Sequence, residues 1–307
     1  MAIALSVTAL ALVLILHAVS LGRSRRQGRR LRRLQEHTLR RMALLEQLMR
    51  ATCARAAAAA LQREGAAPAM PIEFRSQHGE DVFLYELLDG QRHGFFIEAG
   101  AFDGYTMSTS YAFEAMGWRG LLVEPIPQRC EQARQRRAGS RVVHGALGRR
   151  GATGEIQIVR YASAEELCSH VIDAGVAGRP AGPEQLETVT APLIPLDRLL
   201  EDEQAPIDFF VLDVEGAELD ALDGFDLARH RPRIMIVEDH SMEHDSAVGM
   251  RLHDCGYVTA GWIAYNRIMI AAHQPALLER ARTLLSRPEV GLPAPEAPPG
   301  QREPASG

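Results

Sequence analysis

The sequence contains no lysine, so every basic residue is an arginine. Alanine is also abundant, and we interpret both features as a bias of composition without mechanistic meaning. Cysteine is scarce as well: the 307 residues include 4 cysteines, which lie far apart and form no CxxC pair. This spacing argues against a zinc site or a disulfide framework and is typical of reduced thiols in a cytosolic setting.

The charges are divided unevenly along the chain, although the formal net charge is only −5. Residues 1–64 carry 12 arginines and 3 acids, a net charge of +9, whereas the remaining residues carry 22 basic and 36 acidic side chains, a net charge of −14. A basic N-terminal segment is attracted to an anionic surface. The acidic remainder argues against a nucleic-acid partner.

The N-terminus contains a long uncharged segment, residues 2–21. A helix that rises about 1.5 Å per residue would span the roughly 30 Å hydrocarbon layer over this length. An arginine cluster begins at Arg23, and nothing basic precedes the segment. This asymmetry predicts a single-pass membrane anchor over residues 1–22, with the globular domain facing the cytoplasm. A cleaved signal peptide is the alternative, because small residues stand at Ala18 and Ser20.

An Arg-rich helical stalk is predicted over residues 23–67, since good helix formers dominate there. Its leucines have a heptad-like spacing, which makes a homodimer through the stalk an alternative, but Arg41 interrupts the seam. A Gly-Ala-Ala-Pro run ends the stalk, so the globular domain is predicted over residues 68–285. Residues 286–307 are rich in Pro, Gly and Ala and are predicted to be a disordered tail.

Apolar and helical segments alternate within the globular domain, which predicts an open α/β sheet with right-handed crossovers. The predicted strands are Gly94–Glu98, Gly120–Glu124, Arg141–His144, Phe209–Asp213 and Arg233–Glu238. The predicted helices are Thr109–Met116, Pro127–Ala138, Glu218–Leu222 and Ser241–Cys255. Two added strands are Gly151–Val159 and Thr188–Leu196, and Tyr257–Trp262 with Asn266–Ala271 resembles a hairpin. The Gly- and Pro-rich loop Gly175–Pro183 is either a substrate lid or a surface insertion.

Two strand ends carry a nucleoside-binding pattern. The first strand ends at Glu98 and continues into a turn with Gly100 and Gly104. Glycine lets the backbone approach a ligand closely, and this turn faces the crevice at the carboxyl ends of the strands. The next strand ends at Glu124, where a carboxylate can accept both hydroxyls of a ribose. Each feature alone is also typical of a tight turn or a solvated acid, but together they favour a nucleoside.

A dinucleotide such as NAD is the alternative ligand. It requires a G-x-G-x-x-G turn that seats a pyrophosphate on a helix N-terminus. Here Glu98, Ala101 and Asp103 stand in or beside the turn, and the two acids repel phosphate. An acidic turn suits a cationic sulfonium that also carries an ammonium group. The turn therefore favours S-adenosylmethionine over NAD.

Further acids follow the later strands. Asp213 and Glu215 could hold the substrate, act as a general base or bind a divalent cation. Acids that complement a helix dipole are the structural alternative, which also applies to Glu218. Glu238 and His240 follow the next strand and are candidates for the acceptor side. We predict Asp213, Glu215 and His240 as catalytic residues, with Asp213 as the first choice of base, and assign no residue to a metal.

Several segments together resemble the FkbM-type methyltransferases. The segments that carry this resemblance are Ser76–Asp81, Phe96–Gly104, Gly117–Pro125, Leu196–Asp197 and Ile207–Gly224. The resemblance implies a seven-stranded Rossmann-like class I methyltransferase sheet. It also implies methyl transfer from S-adenosylmethionine to an oxygen, often on a sugar or natural product.

The resemblance implies a set of cofactor-binding residues: Gln77, Asp81, Glu98, Gly100, Ala101, Asp103, Gly104, Glu124, Pro125, Ala146 and Leu147. In this set Glu124 would hold the ribose hydroxyls, Ala146 and Leu147 would flank the adenine, and Gln77 and Asp81 would close the methionine end. Two positions depart from the family pattern, because Thr109 replaces an Asn of an S-N-T element and Asn266 stands where Asp is common.

The sequence therefore predicts an O-methyltransferase that acts on a hydroxyl of a small molecule, sugar or glycan near the membrane. Positioning of the reactants can lower the barrier by roughly 7–11 kcal/mol, and proton removal can add on the order of 10²–10⁴-fold. A non-catalytic, membrane-tethered scaffold that keeps the cofactor-binding fold is the alternative.

Overall fold

The computed structural model describes residues 37, 40–41, 43–161, 169–171, 186–243 and 245–286. The predicted anchor, most of the predicted tail and the loop Gly175–Pro183 lie outside these residues. Within the described residues, no helix is both long enough and apolar enough to cross a bilayer. The chain forms two compact units, Met1–Ala51 and Thr52–Gly307. In the first unit, residues 43–51 are helical.

The second unit opens with a helix, α1 (residues 52–63), which belongs to the predicted stalk. Ala57 and Leu61, one helical turn apart, are buried and share a hydrophobic cluster with Phe83 and Leu84. Residues four apart lie on one face of a helix, so this face packs into the core. This part of the predicted stalk therefore contributes to the core of the second unit.

Eleven strands are formed among the described residues: β1 Phe95–Ala99, β2 Arg119–Glu124, β3 Arg141–His144, β4 Ala146–Leu147, β5 Glu155–Tyr161, β6 Ser169–Val171, β7 Leu186–Ile194, β8 Phe209–Leu212, β9 Ile234–Glu238, β10 Tyr257–Ile263 and β11 Asn266–Ala271. Seven of them build the main sheet in the order β10-β11-β9-β8-β1-β2-β3. β11 runs antiparallel to β9 and β10, and the other pairs are parallel. The predicted seven-stranded Rossmann-like sheet is confirmed.

The helices after α1 are α2 Glu80–Leu87, α3 Tyr111–Ala115, α4 Pro127–Arg136, α5 Leu196–Leu199, α6 Glu218–Asp223, α7 Leu227–His230, α8 Ala247–Asp254 and α9 Pro275–Leu285. Side chains of each central strand alternate between two hydrophobic clusters: Phe96 and Phe209 enter one, whereas Ile97 and Phe210 enter the other. Alternation at a period of two is dictated by strand geometry. Burial on both faces explains why these strands are almost wholly apolar.

Two features of the fold differ from the sequence-based expectation. The added strands join β4 and β6 in a separate four-stranded sheet, in the order β4-β7-β5-β6. Helix α8 begins at Ala247 rather than at Ser241, because Ser246 caps it by accepting a 3.0 Å hydrogen bond from Gly249 N–H. Ser241 instead donates its hydroxyl to Asp239 at 2.6 Å, which holds the preceding residues in a turn.

Candidate functional site

The candidate site lies where β1, β2 and β8 end side by side. Gly100 follows β1, and its N–H donates to the carbonyl of Val123 in β2 at 3.0 Å. On the other side, Asp213 N–H donates to the carbonyl of Ala99 at 3.1 Å. Gly100 has a φ of +82°, and a Cβ there would lie 1.8 Å from the Asp213 carbonyl oxygen. Only glycine therefore lets the turn sit between its two neighbouring strands.

Glu124 ends β2 and is buried beneath the glycine turn. Its Oε2 accepts the N–H of Phe102 at 2.8 Å, and its Oε1 accepts the N–H of Ile126 at 2.9 Å. Burial raises the pKa of this carboxyl to about 7, although the two N–H donors act in the opposite direction. Each carboxylate oxygen has two acceptor positions, so one on each oxygen is left after these bonds. Two hydroxyls of a ribose match this capacity.

Glu98, the acid that ends the first predicted strand, belongs to an internal network. Its oxygens accept the Thr109 N–H at 2.7 Å and the Ser108 hydroxyl at 2.9 Å, and the Ser110 hydroxyl also donates to it. The guanidinium of buried Arg137 lies 3.8 Å away. The backbone of Thr109 serves this carboxylate, so the replaced Asn is not needed for it. Glu98 shapes the turn, and its contact with a cofactor stays a prediction.

Asp103 organises the second half of the turn. Its Oδ1 accepts the N–H groups of Tyr105 at 2.9 Å and Thr106 at 2.7 Å, and Arg136 pairs with its Oδ2. Burial favours a higher pKa for this carboxyl, but these donors outweigh it and hold the pKa below its ordinary value. Asp103 therefore remains negatively charged. Ala101 and Gly104 lie buried on either side of it, joined by a 2.9 Å hydrogen bond from Gly104 N–H to the Ala101 carbonyl.

The residues predicted to flank an adenine follow β3 and form β4. His144 Nε2 lies 2.9 Å from the carbonyl oxygen of Pro125, and Gly145 N–H donates to the carbonyl of Glu124 at 3.1 Å. The next residue, Ala146, is half-buried, whereas Leu147 is buried in the core. Ala146 thus follows the residue that bonds to the end of β2, and the next residue, Leu147, packs in the core.

The segment before α2 is held by the buried carboxylate of Asp81. Asp81 accepts the Ser76 hydroxyl at 2.5 Å and the Val82 N–H at 2.8 Å, and the Arg75 N–H also donates to it. Gln77 is exposed and accepts the Tyr265 hydroxyl at 2.6 Å. Asp81 therefore fixes the loop that presents Gln77, and a direct contact of either residue with a cofactor stays a prediction.

Asp213, Glu238 and His240 come together at the ends of β8 and β9. Asp213 is half-buried and adjoins Glu238, because the residues that precede them, Leu212 and Val237, are paired in the sheet. Glu238 is 8% exposed, and its Oε1 lies 2.9 Å from Nε2 of His240, whose side chain is 68% exposed. Burial raises the pKa of both carboxyls above their ordinary values, and for Glu238 the charge of Asp213 adds to this effect. Two predicted catalytic residues are thus linked through Glu238.

The turn after β8 carries the remaining predicted acids. Glu215 has a φ of +55°, which is strained for a residue with a side chain and is typical of functional turns. Glu218 begins α6, and its Oε1 accepts the N–H groups of Gly216 at 3.1 Å and Val214 at 3.3 Å. Glu218 therefore holds the turn from within, as an acid at a helix N-terminus does. Glu215 remains a candidate for the acceptor side.

Two residues of the site were not predicted from the sequence. Tyr265 lies between His78 and His240, with ring centroids 5.0 Å and 4.7 Å away. Glu80 accepts the side-chain amide of Asn266 at 2.7 Å and adds negative charge near Asp213. An Asp at position 266 would place a second carboxylate against Glu80, so Asn relieves a like-charge contact. Glu80 lies in the segment Ser76–Asp81 and Tyr265 precedes the strand that begins at Asn266, but only the fold brings the two residues to the site.

No group of three or more His, Cys, Asp or Glu side chains is placed to hold a metal ion in the described part of the chain. The residues of the site do fit S-adenosylmethionine, because Glu124 keeps an acceptor position on each oxygen for the ribose hydroxyls and Asp103 holds the glycine turn in place.

Comparison with known proteins agrees with this geometry. The model of the methyltransferase FkbM domain matches residues 98–259, which is more than half of the chain. No curated protein matches the chain significantly. The matched span contains the glycine turn, Glu124 and the acids after β8 and β9. The resemblance inferred from the motifs is confirmed, and the chain belongs to the FkbM methyltransferase family.

Proposed function

We propose that this methyltransferase uses S-adenosylmethionine and transfers the methyl group to a hydroxyl of a sugar, glycan or related natural product near a membrane. The observation that carries the proposal is the shared edge of the sheet: Glu124 and the Gly100 turn stand beside Asp213 and Glu238. A site for a nucleoside and a site for proton removal are thus adjacent. Methyl transfer to an oxygen requires this combination.

The donor side rests on two carboxylates with different roles. Glu124 has one free acceptor position on each oxygen, which suits two ribose hydroxyls. Asp103 is held ionised, pairs with Arg136 and fixes the shape of the glycine turn. Bound here, S-adenosylmethionine supplies an electrophilic methyl group. The strand-end acids also disfavour a pyrophosphate, as they would repel it.

The acceptor side is acidic. Glu215, Glu218 and Glu80 contribute negative potential at Asp213 and Glu238, and His240 is the basic group that acts on Asp213. Such a site disfavours an acceptor with a phosphate or carboxylate next to the reacting atom. A neutral hydroxyl, as on a sugar ring, suits it, because Asp213 can take the proton. General-base assistance of this kind contributes on the order of 10²–10⁴-fold.

The membrane part of the proposal rests on the sequence alone. The uncharged run at residues 2–21 and the arginines after it favour a single-pass anchor that keeps the catalytic domain on the cytoplasmic side. A lipid-linked glycan precursor is then the acceptor class closest to the domain. A reporter fused after Gly307 that is active only outside the cytoplasm would contradict this orientation.

The cofactor is tested by calorimetry on the full-length protein. We expect S-adenosylmethionine to bind, and Glu124→Ala to remove binding because the ribose hydroxyls lose both acceptors. Glu203→Gln is the matched control, since Glu203 pairs with Arg119 at the opposite end of β2 and should leave affinity unchanged. Binding of NAD in place of S-adenosylmethionine would end the proposal.

A non-catalytic scaffold is the competing function, and turnover separates the two. Mass spectrometry of glycans and lipids from cells with and without the gene should reveal species that differ by one methylene group. If Glu124→Ala removes cofactor binding while the cellular phenotype of the gene persists, the scaffold is correct. Loss of both the phenotype and the methylated species supports the enzyme.

A further inference from the structure

Asp213 and Glu238 meet because of strand register. β8 and β9 are parallel neighbours in which Leu212 pairs with Val237, so the next residue of each strand carries its carboxyl to the same place. The two carboxyls therefore stand side by side at a buried strand end, and the charge of Asp213 acts on Glu238. Two ionised carboxylates in such a place repel each other, which favours the protonated form of one of them. The pair therefore holds one proton.

The surroundings decide which partner carries that proton. Burial favours the neutral form of both carboxyls, and His240 counteracts this effect at Asp213 by lowering its pKa. The groups that face the pair are Glu215 and Glu218 from the segment after β8, Glu80 from α2, and His240 and Tyr265 from the segments after β9 and before β11. Burial and then the charges of Asp213 and Glu215 raise the pKa of Glu238. The proton therefore resides on Glu238.

We propose that Glu238 is a positioning residue for methyl transfer, whose protonated carboxyl donates to Asp213 while its Oε1 accepts the Nε2–H of His240 at 2.9 Å. This proposal rests on the methyl transfer proposed above. Glu238 fixes the orientation of the Asp213 side chain and leaves Asp213 as the charged member of the pair. A second ionised carboxylate at position 238 would repel Asp213 and release His240.

The roles in the reaction follow from this arrangement. The proton of the acceptor hydroxyl moves to the Asp213 carboxylate while the acceptor oxygen takes the methyl group. The electron pair of the broken bond stays on the sulfur, which becomes a neutral thioether. Glu238 keeps its own proton throughout, so it holds Asp213 without touching the acceptor.

Infrared spectroscopy on the full-length protein tests the shared proton without any turnover. At about pH 8 surface carboxyls are ionised, so the carbonyl stretch of a protonated carboxyl should remain for Glu238. We expect Glu238→Gln and Asp213→Asn to remove or shift this band, and Glu203→Gln to preserve it. A wild-type protein without the band, or a Glu238→Gln variant that keeps it, would overturn the proposal.

Activity tests the positioning role. The assay follows labelled methyl transfer from S-adenosylmethionine to a total lipid and glycan extract of the source cells. Glutamine mimics a protonated glutamate, so Glu238→Gln should keep the rate within about threefold, whereas Glu238→Ala and Asp213→Asn should lose on the order of 10²-fold. The wild-type rate should fall at alkaline pH as Glu238 ionises, and Glu238→Gln should lack this fall.

Two outcomes of the assay contradict the positioning role. If Glu238→Gln and Glu238→Ala lose the same activity although both unfold like the wild type, the proton on Glu238 has no function. If Glu238→Gln keeps the alkaline fall, another group causes it. An absence of all methyl transfer would instead refute the proposed function and, with it, the positioning role. The infrared band would still decide whether Asp213 and Glu238 share a proton.

Discussion

Replacement of Arg137 by Met is expected to destabilise the fold more than any exposed charge change. Arg137 follows α4 and is fully buried beneath the glycine turn, with a side-chain exposure of 0%. Its Nε donates to Glu114 at 2.8 Å, its Nη1 to the Gly104 carbonyl at 3.0 Å, and its Nη2 to the Ser110 hydroxyl at 2.8 Å. One guanidinium thus joins α3, the turn and the network around Glu98.

The magnitude follows from what the substitution leaves behind. Methionine fills a similar volume, so the cavity contribution is small, but Glu98 and Glu114 lose their buried counterion. Removing one partner of a buried ion pair costs about 3–5 kcal/mol, since an uncompensated charge remains. Adding Glu114→Gln to Arg137→Met should recover part of this loss, because one of the two unpaired charges is then removed.

Chemical denaturation of the full-length protein, followed by tryptophan fluorescence, measures this loss. Arg136→Met is the matched control: Arg136 precedes Arg137, pairs with Asp103 and is 42% exposed. Exposed pairs contribute about 0–1 kcal/mol, so the two adjacent substitutions should differ several-fold in effect. A loss below about 1 kcal/mol for Arg137→Met would refute the assignment of a buried, structurally required charge pair.

Three other predictions concern the two ends of the sheet. Gly100→Ala should cost roughly 1–2 kcal/mol in backbone strain alone and should abolish cofactor binding in calorimetry, because the new Cβ collides with the Asp213 carbonyl. Cofactor affinity should rise between about pH 6 and pH 8 as Glu124, with a pKa raised to about 7, ionises; Glu124→Gln should flatten this dependence. The sign is opposite for the stability of the unbound protein, which should fall between about pH 4.5 and pH 7 because the carboxyl ionises first in the unfolded chain. Asp208→Ala should cost about 1–3 kcal/mol in denaturant unfolding, because the Phe95 N–H and Arg233 lose their acceptor, and it should leave cofactor affinity unchanged.

The central strands could be predicted from the sequence because their signal is local. A strand buried on both faces must be largely apolar: Phe209–Leu212 is wholly apolar and is followed by Asp213, and Phe95–Ala99 is apolar apart from Glu98. The small sheet and the start of α8 were harder to predict. The start of α8 depends on the side-chain hydrogen bond of Ser246, which a count of helix-forming residues does not include.

The position of the glycine turn and of Glu124 was predictable for the same reason. Gly100 and Glu124 lie at the ends of adjacent strands, and parallel strands bring their carboxyl ends to one edge. The resemblance to FkbM proteins rests on these short segments, and the family match confirms it. The methyl acceptor left no comparable local pattern.

The sequence by itself determined where the central strands end, the family and the acidic character of the turn, because these depend on residues close together in the chain. Only the tertiary structure decided how the buried charges are paired. Arg137 reaches Glu98, Tyr265 reaches Gln77, and Glu238 shares a proton with Asp213 across strand boundaries. Ionisation and hydrogen bonding depend on distance in space and on burial, and neither quantity can be read from spacing along the chain.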